Sequence, residues 1–506
     1  MNYLLGLDLG TSGLKAVLFD ENGKQALSAG QEYPLLQPRN GWAEQDPAVW
    51  YAAAAAAIRS ILEKGKVSAK QIAGVGISGQ MHGLVMVDGS GLPLGHAILW
   101  CDGRTTQECA EIENSLGREA IIRVTGNPPL PGFTASKILW VRKHAPEAYC
   151  LCSKILLPKD FLRFRLTGTF STDPSDASGT NLMDIGRGCW DENILRALDI
   201  NPELLPPIVP SFHVAGHISP QAALDTGLLA GTPVVTGAAD NIAAAVGMGV
   251  VKEGRAFITI GTSGVIFVHS NQMNADPMGR VHTFCHALPG TWATMSCTLS
   301  AGLSMKWLRD LLSPDHEGGA VLTYSKMDEL AREIPIGAEQ LLFLPYLMGE
   351  RSPILDETCR GAFVGLSALH QKGHLIRAVM EGVSYSQLQC LDVLKELGIA
   401  PSEIRICGGG GNSTLWRQML ADILACSVLR TNQSECAALG AAILAGVGCG
   451  IFHDLAQGCE RALQITDEHR AEQSATTAYR SMYSIYKKLY PNLKESFQSL
   501  FSLSHL

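Results

Sequence analysis

The sequence predicts two related α/β halves that close on one polyphosphate. Three observations carry this. Gly-Thr-Ser-Gly occurs twice, at 10–13 and at 261–264. Each copy lies between two apolar runs that read as strands: Tyr3 to Leu7 and Leu14 to Phe19 around the first, Ala256 to Ile258 and Val265 to Val268 around the second. Beyond each copy, helical and strand-like segments alternate. A tight glycine turn between strands presents backbone N–H groups and hydroxyls at its tip, where they can hold phosphate. Two such tips half a chain apart suggest a duplicated plan.

The elements follow in order. Strand one ends near Asp8, strand two runs from Leu14 to Asp20, and Asn22-Gly23 predicts a type I′ hairpin into strand three. Asp46-Pro47 supplies an N-cap and a proline at N1 for a helix reaching about Lys64. A buried strand, Ile72 to Ser78, leads into the loop Gly79-Gln80-Met81-His82-Gly83 and then Leu84 to Val87. Three strands followed by alternating helices and strands predict a mixed sheet. The stretch 100–220 reads as an insertion walling the substrate side, with helices near 104–116, 134–144 and 191–198. A strand from Pro233 to Gly237 ends at Asp240-Asn241, before a small-residue helix, Ile242 to Val246. The plan restarts near Gly254. Ile404 to Cys407 is a strand, Gly408 to Gly411 a loop, Ser413 to Leu424 a helix, and 470–495 a long amphipathic helix. No low-complexity linker separates the halves, so a short, packed hinge is expected.

Composition bounds the function. With 506 residues, 46% hydrophobic and 17% charged, the chain suits two or more globular domains. A net charge of −8 argues against nucleic acid and anionic membrane as partners. There is no continuous 18-residue apolar stretch and no basic leader, and the 14 cysteines are irregularly spaced. A cytoplasmic location follows as the expectation. Cys150 and Cys152 are the only close pair, and neither a disulfide nor a zinc role is expected of them.

Several residues could carry chemistry. Asp8, two residues before Gly10, could position Mg²⁺ beside ATP phosphates, or simply form the turn. Thr259 holds its place in the second copy, so a metal-binding carboxylate is expected on one side only. Gly408 to Gly411 with Asn412 stand between a strand and a helix, where glycines let the backbone approach a nucleotide. Asp240 could accept the proton of an attacking hydroxyl, or could be a helix N-cap. Spacing does not favour it as base over Asp102 or Asp176. Met81-His82, in a glycine-flanked loop, could contact a sugar, and Trp100 with Asp102 offers an aromatic plate beside a carboxylate. His282, Cys285 and His286 read as core residues rather than metal ligands. Gly-x-Ser-x-Gly and the P-loop pattern are both absent.

The segment from Gly6 to Ala16 resembles the phosphate loop of the FGGY carbohydrate kinases. Gly132 to His144 and Gly361 to Glu381 resemble that family's two long signatures. Within the family, Gly76 to Gly83, Leu99 to Arg104, Pro158 to Gly168, Ser175 to Thr180 and Gly237 to Asn241 are most similar to the xylulokinase branch. The resemblance implies two actin-like, ribonuclease-H-like domains with a cleft between them: 1–247 on the sugar and metal side, 248–506 on the nucleotide side. It implies ATP with Mg²⁺ as donor, D-xylulose as acceptor, Asp240 as general base and Asp8 on the metal. Met81, His82, Trp100, Asp102 and Asn241 are the residues expected on the sugar. Gly10, Thr11, Ser12, Gly261, Thr262, Ser263, Gly302, Gly409, Gly410 and Asn412 are those expected on the nucleotide. A homodimer is the assembly carried as the expectation. An ordinary carboxylate pKa of about 4 would keep Asp240 ionised at neutral pH.

Overall fold

The computed structural model describes residues 2–313 and 321–503. Its core is two large sheets built on one plan. In the first, the order is Val214–His217, Pro233–Val235, Ile72–Gly79, Tyr3–Leu9, Gly13–Asp20, Gln25–Glu32, with Ala238–Ala239 also on Ile72–Gly79. In the second, it is Ile465–His469, Ser427–Thr431, Glu403–Cys407, Arg255–Ile260, Gly264–Ser270, Trp292–Thr298, His282–Cys285. Both run antiparallel through the strands flanking the Gly-Thr-Ser turn and parallel in the middle, with an antiparallel far edge. Strand Tyr3–Leu9 thus corresponds to Arg255–Ile260, and each begins a strand–turn–strand unit at the centre of its sheet.

Local signals explain most boundaries. Helix Pro47–Gly65 starts where Asp46 accepts a hydrogen bond from Ala48 N at 2.9 Å, and it ends at Lys66 in the left-handed conformation. Helix Thr414–Leu424 is capped by the Ser413 hydroxyl, which accepts from Trp416 N. One turn differs from its expectation. A type I′ turn needs two central residues with positive φ, yet only Gly23 has one, at 71°. The Asp20 carboxylate accepts from Asn22 N and Lys24 N, and Asp20 N bonds Lys24 O. The side chain of Asp20 therefore closes a three-residue loop, with Gly23 in the left-handed position. The insertion also holds helices that periodicity did not separate, among them Arg118–Thr125 and Pro158–Thr167. The C-terminal helix, Gln473–Leu503, extends past the expected end.

The two sheets are joined by two helices in equivalent places, Asp240–Gly247 and Cys436–Gly448. They meet through glycine: a Cβ on Gly247 would lie 1.8 Å from Cys436 O, and one on Gly440 1.8 Å from Ala243 O. Helix Cys436–Gly448 also lies flat on the first sheet. There a Cβ on Gly6 would lie 2.0 Å from Ala438 O, and one on Gly76 1.8 Å from Ala441 O. One buried cluster accordingly holds Leu4, Val17 and Phe19 of the first half with Phe257, Phe267 and Ala442 of the second. Lys15 pairs with Glu435 across the same junction at 3.0 Å. The hinge is packed, as the absence of a linker predicts. Among the described residues no helix is long and apolar enough to cross a membrane, and all fourteen cysteines are free.

Candidate active site

The first turn is braced from behind. Gly10 N closes it on Gly13 O at 3.0 Å, and the Tyr33 hydroxyl donates to Gly10 O at 2.5 Å. Thr11 Oγ1 accepts from Trp100 Nε1 at 2.9 Å and donates to Gln80 Oε1 at 3.2 Å. Gln45 Nε2 donates to Thr11 O at 2.7 Å, while Gln45 Oε1 accepts from Gln80 Nε2 and Trp50 Nε1. The Thr11 hydroxyl is therefore engaged within the protein, and the exposed Ser12 carries the free hydroxyl of this turn.

Asp8 sits just before that turn. Its Oδ1 accepts from Ser78 Oγ at 3.0 Å, and burial pushes its carboxyl above the usual range. Asp8, Ser78 and Ala238 are register neighbours across three adjacent strands. Adjacent strands lie about 4.8 Å apart, which sets the outer two about 10 Å apart. Asp240 begins its helix two residues after Ala238, on the same sheet end as Asp8. Its Oδ1 accepts from Asn241 N at 2.7 Å and Asn241 Nδ2 at 2.9 Å. Burial, then the nearby charge of Asp8, raises its pKa to about 7. This corrects the expectation of an ordinary value near 4: a half-enclosed carboxyl facing another loses solvation that an open loop would supply.

The structure separates the three carboxylates that spacing left open. Asp102 is buried, with Oδ2 on Ala43 N and Arg104 Nη2, both at 2.6 Å, and Oδ1 on Arg104 N and Nε, both at 2.9 Å. Both oxygens are spent on holding the loop that carries Trp100, so Asp102 is saturated by the protein rather than presented to a sugar. Asp176 lies in a fully buried charge cluster with Lys159, Asp160, Asp173 and Arg163. Only Asp240 shares the sheet end with Asp8. The cluster reaches it indirectly: Asp173 Oδ2 accepts from Ser175 Oγ at 2.6 Å, and Ser175 Oγ accepts from Ala239 N at 3.0 Å.

Met81 is core, 4% exposed. His82 has a φ of 67°, and its ring stacks on Phe133 with centroids 4.2 Å apart. His82 Nδ1 lies 2.7 Å from Gly179 O. A carbonyl only accepts, so Nδ1 carries the proton and Nε2 keeps a lone pair. Burial lowers its pKa to about 3, which keeps the ring neutral. Its backbone oxygen accepts from Lys137 Nζ at 2.8 Å and Thr134 Oγ1 at 3.1 Å. The second half contributes as well: the Phe284 ring stands 5.8 Å from His82, and His282 Nδ1 lies 2.9 Å from Asn127 Oδ1. Both halves thus line the surroundings of His82. Phe133 and Lys137 belong to the long signature at 132–144, whereas Phe284 had no sequence signal beyond its strand. Trp100 is 43% exposed.

The second turn is one residue tighter than the first, with Ile260 paired to Gly264 where Leu9 pairs with Leu14, and it adds a helix. Gly261 N bonds Ser263 O at 3.0 Å, and Gly302 N bonds Gly261 O at 2.7 Å as helix Gly302–Leu312 begins. A Cβ on Gly302 would lie 2.4 Å from Gly261 O. Gly408, with φ 81°, and Gly410 close on Ile260, whereas a Cβ on Gly409 would meet nothing within 4 Å. Gly409 thus leaves an open face beside the turn. Asn412 Oδ1 accepts from Arg430 Nη2 at 2.9 Å. The two turns and the open face at Gly409 present backbone of the kind that polyphosphate requires, whereas the first N–H groups of helix Gly302–Leu312 are bonded to Gly261 O and Thr262 O. Among the described residues no group of three or more His, Cys, Asp or Glu could hold a metal ion. Asp8 alone, with one oxygen left by Ser78, fits an ion that arrives with phosphate and water ligands, as Mg²⁺ does with a nucleotide. His286, bonded to Val250 O, is core as expected.

Comparison with known proteins gives this geometry a family. The profile for the FGGY family of carbohydrate kinases, N-terminal domain, matches residues 3–247, and that for the C-terminal domain matches residues 256–449. The chain belongs to the FGGY family of carbohydrate kinases. This FGGY kinase is 36% identical over 495 residues to the xylulose kinase of Bacillus subtilis (strain 168), covering 98% of each chain. It is 37% identical over 490 residues to that of Escherichia coli (strain K12), covering 97% of this chain and 99% of the relative. The crystal structure of xylulose kinase from Rhodospirillum rubrum matches with a TM-score of 0.91 at 29% identity, over 98% of this chain and 100% of that one. A gluconate kinase from Lactobacillus acidophilus also scores 0.91, at 28% identity and 99% coverage of each chain. The two-lobed α/β fold is therefore that of FGGY kinases, and fold alone does not select the sugar.

Proposed function

We propose that this FGGY kinase transfers the γ-phosphoryl group of ATP to the terminal hydroxyl of D-xylulose, giving D-xylulose 5-phosphate and ADP. The observation that carries the chemistry is the register of Asp8, Ser78 and Ala238 across three strands, which puts Asp240 on the sheet end that bears the first phosphate turn. Whole-length likeness to xylulose kinases carries the choice of sugar. Asp240 Oδ1 is held by Asn241, so Oδ2 accepts the hydroxyl proton as the oxygen attacks phosphorus. His82 Nε2 accepts from another sugar hydroxyl, against the Phe133 face. Asp102 positions Trp100, and Trp100 joins the sugar side to Thr11. The two turns, with Gly302, Gly409, Gly410 and Asn412, bind the nucleotide. Asp8 would hold a Mg²⁺ ion carried by ATP, and that ion would supply positive charge against the phosphates. The division at 247/248 follows the two sheets, and the free cysteines suit a reducing cytoplasm.

A panel at fixed Mg-ATP tests the substrate: D-xylulose, D-ribulose, L-ribulose, glycerol and gluconate. D-xylulose is expected to give the highest kcat/KM. A clear preference for gluconate or another acceptor overturns the assignment, and ATP turnover indifferent to sugar points to an ATPase.

The raised pKa of Asp240 gives a pH profile. The base must be ionised, and below about 7 it holds a proton. With D-xylulose, kcat/KM is expected to rise about tenfold per pH unit up to that value and then level off. A profile flat from about pH 5.5 to 8.5 would count against Asp240 as the base.

A further inference from the structure

Strand Trp292–Thr298 ends beside the second phosphate turn, where Thr298 is the register partner of Gly264. The segment 350–352 is tied to that strand end. Ser352 N donates to Cys297 O at 3.0 Å, and Glu350 Oε1 accepts from Leu299 N and Arg351 N, both at 2.8 Å. Between these anchors stands Arg351, only partly exposed. Among the described residues its guanidinium makes no hydrogen bond and no ion pair. The arginines with deeply buried side chains are engaged: Arg104 with Asp102, Arg163 with Asp160, Arg377 with Glu381, Arg405 with Glu403, Arg417 with Asp467. An arginine held firmly by its backbone, sheltered from full solvation and left without a partner has donors to spare.

Its surroundings say for what. The charge of Arg351 reaches His82 and His282 at the sugar pocket and disfavours their protonation. It also reaches Cys297, on the strand that ends beside the second turn. One cation thus lies within electrostatic reach of the His82 pocket and of the strand that ends beside the second turn. Phosphoryl transfer builds charge on the equatorial oxygens of the group in flight, and a planar fork of N–H donors matches those oxygens.

We propose that Arg351 is a catalytic residue of the C-terminal lobe, whose guanidinium binds the oxygens of the phosphoryl group as it crosses from ATP to the sugar. The bond from the γ-phosphorus to the β,γ-bridging oxygen breaks, with its electron pair staying on ADP. A bond from the sugar oxygen to phosphorus forms, and the hydroxyl proton goes to Asp240. Arg351 neither gains nor loses a proton. The proposal rests on the phosphoryl-transfer reading above.

The test is steady-state kinetics of Arg351→Gln and Arg351→Lys with Mg-ATP and D-xylulose, alongside ADP affinity and the thermal midpoint of each. In Arg351→Gln, kcat is expected to fall about 10²- to 10³-fold, with the sugar KM within about threefold of the parent value. Arg351→Lys keeps the charge without the fork, and an intermediate kcat is expected. Parent-like kcat in Arg351→Gln overturns the proposal. So does a loss confined to the sugar KM, which would make Arg351 a sugar ligand. If Arg351→Gln fails to fold, parent-like kcat in Arg351→Lys overturns the fork and a reduced kcat at unchanged thermal midpoint supports it. An inactive parent would instead defeat the functional reading.

Discussion

Replacing Asp240 with Asn is expected to lower kcat about 10²- to 10⁴-fold while leaving ADP and ATP affinity near the parent value. The amide keeps the shape of the side chain, and its oxygen can still accept from Asn241 N, as Oδ1 does at 2.7 Å. What is lost is the capacity to take a proton. Asp240 stands apart from the second turn, Gly302 and Gly409, so ADP binding at those elements is expected to hold, and only the first turn shares its sheet end. Steady-state rates with D-xylulose, paired with direct measurement of nucleotide binding, separate the two. Near-parent turnover would end the assignment of Asp240 as base. A residual rate without the rise toward pH 7 would strengthen it, because that rise belongs to the group removed.

The largest effect on stability is expected from Gly76→Val. Any Cβ at Gly76 lies 1.8 Å from Ala441 O and 2.5 Å from its carbonyl carbon. Both contacts are with backbone, so no rotamer change relieves them. Inserting methyl groups into a packed core typically costs about 1–3 kcal/mol, and a collision with rigid helix backbone belongs at or above the top of that range. Each kcal/mol lowers Tm by about 2–4 °C in domains of this size. Gly409→Ala is the matched control, since its Cβ would meet nothing within 4 Å. A parent-like Tm for Gly76→Val would mean that helix Cys436–Gly448 does not lie on the first sheet as described.

Much of this is legible in the sequence alone. The doubled turn marked the duplicated sheets because a glycine turn between two apolar runs has few other readings. The cap at Asp46 and the strands at 72 and 404 followed from local chemistry. Other features depend on contacts far apart in sequence. Asp102 looked like an available carboxylate, but Ala43 and Arg104 occupy it. Thr11 looked like a phosphate ligand, and its hydroxyl is committed to Gln80 and Trp100. The pKa of Asp240 depends on burial and on Asp8, more than two hundred residues away. Phe284 reaches His82 only because the edge strand of the second sheet crosses to it. Spacing records none of these partners. The Asn22-Gly23 turn failed more locally, because the Asp20 side chain closed the loop another way.

The brace behind the first turn has a thermodynamic consequence. Trp100, Thr11, Gln80, Gln45 and Trp50 form one continuous chain of hydrogen bonds, with the Trp100 loop at one end and the first Gly-Thr-Ser turn next to it. A ligand that stiffens either loop draws on the same ordering entropy, so the second to bind finds part of that cost already met. Linkage then requires symmetry: whatever factor sugar adds to nucleotide affinity, nucleotide adds to sugar affinity. Synergy is therefore the expected result, read as a lower nucleotide Kd when the sugar is present, and equal Kd values with and without sugar would count against it.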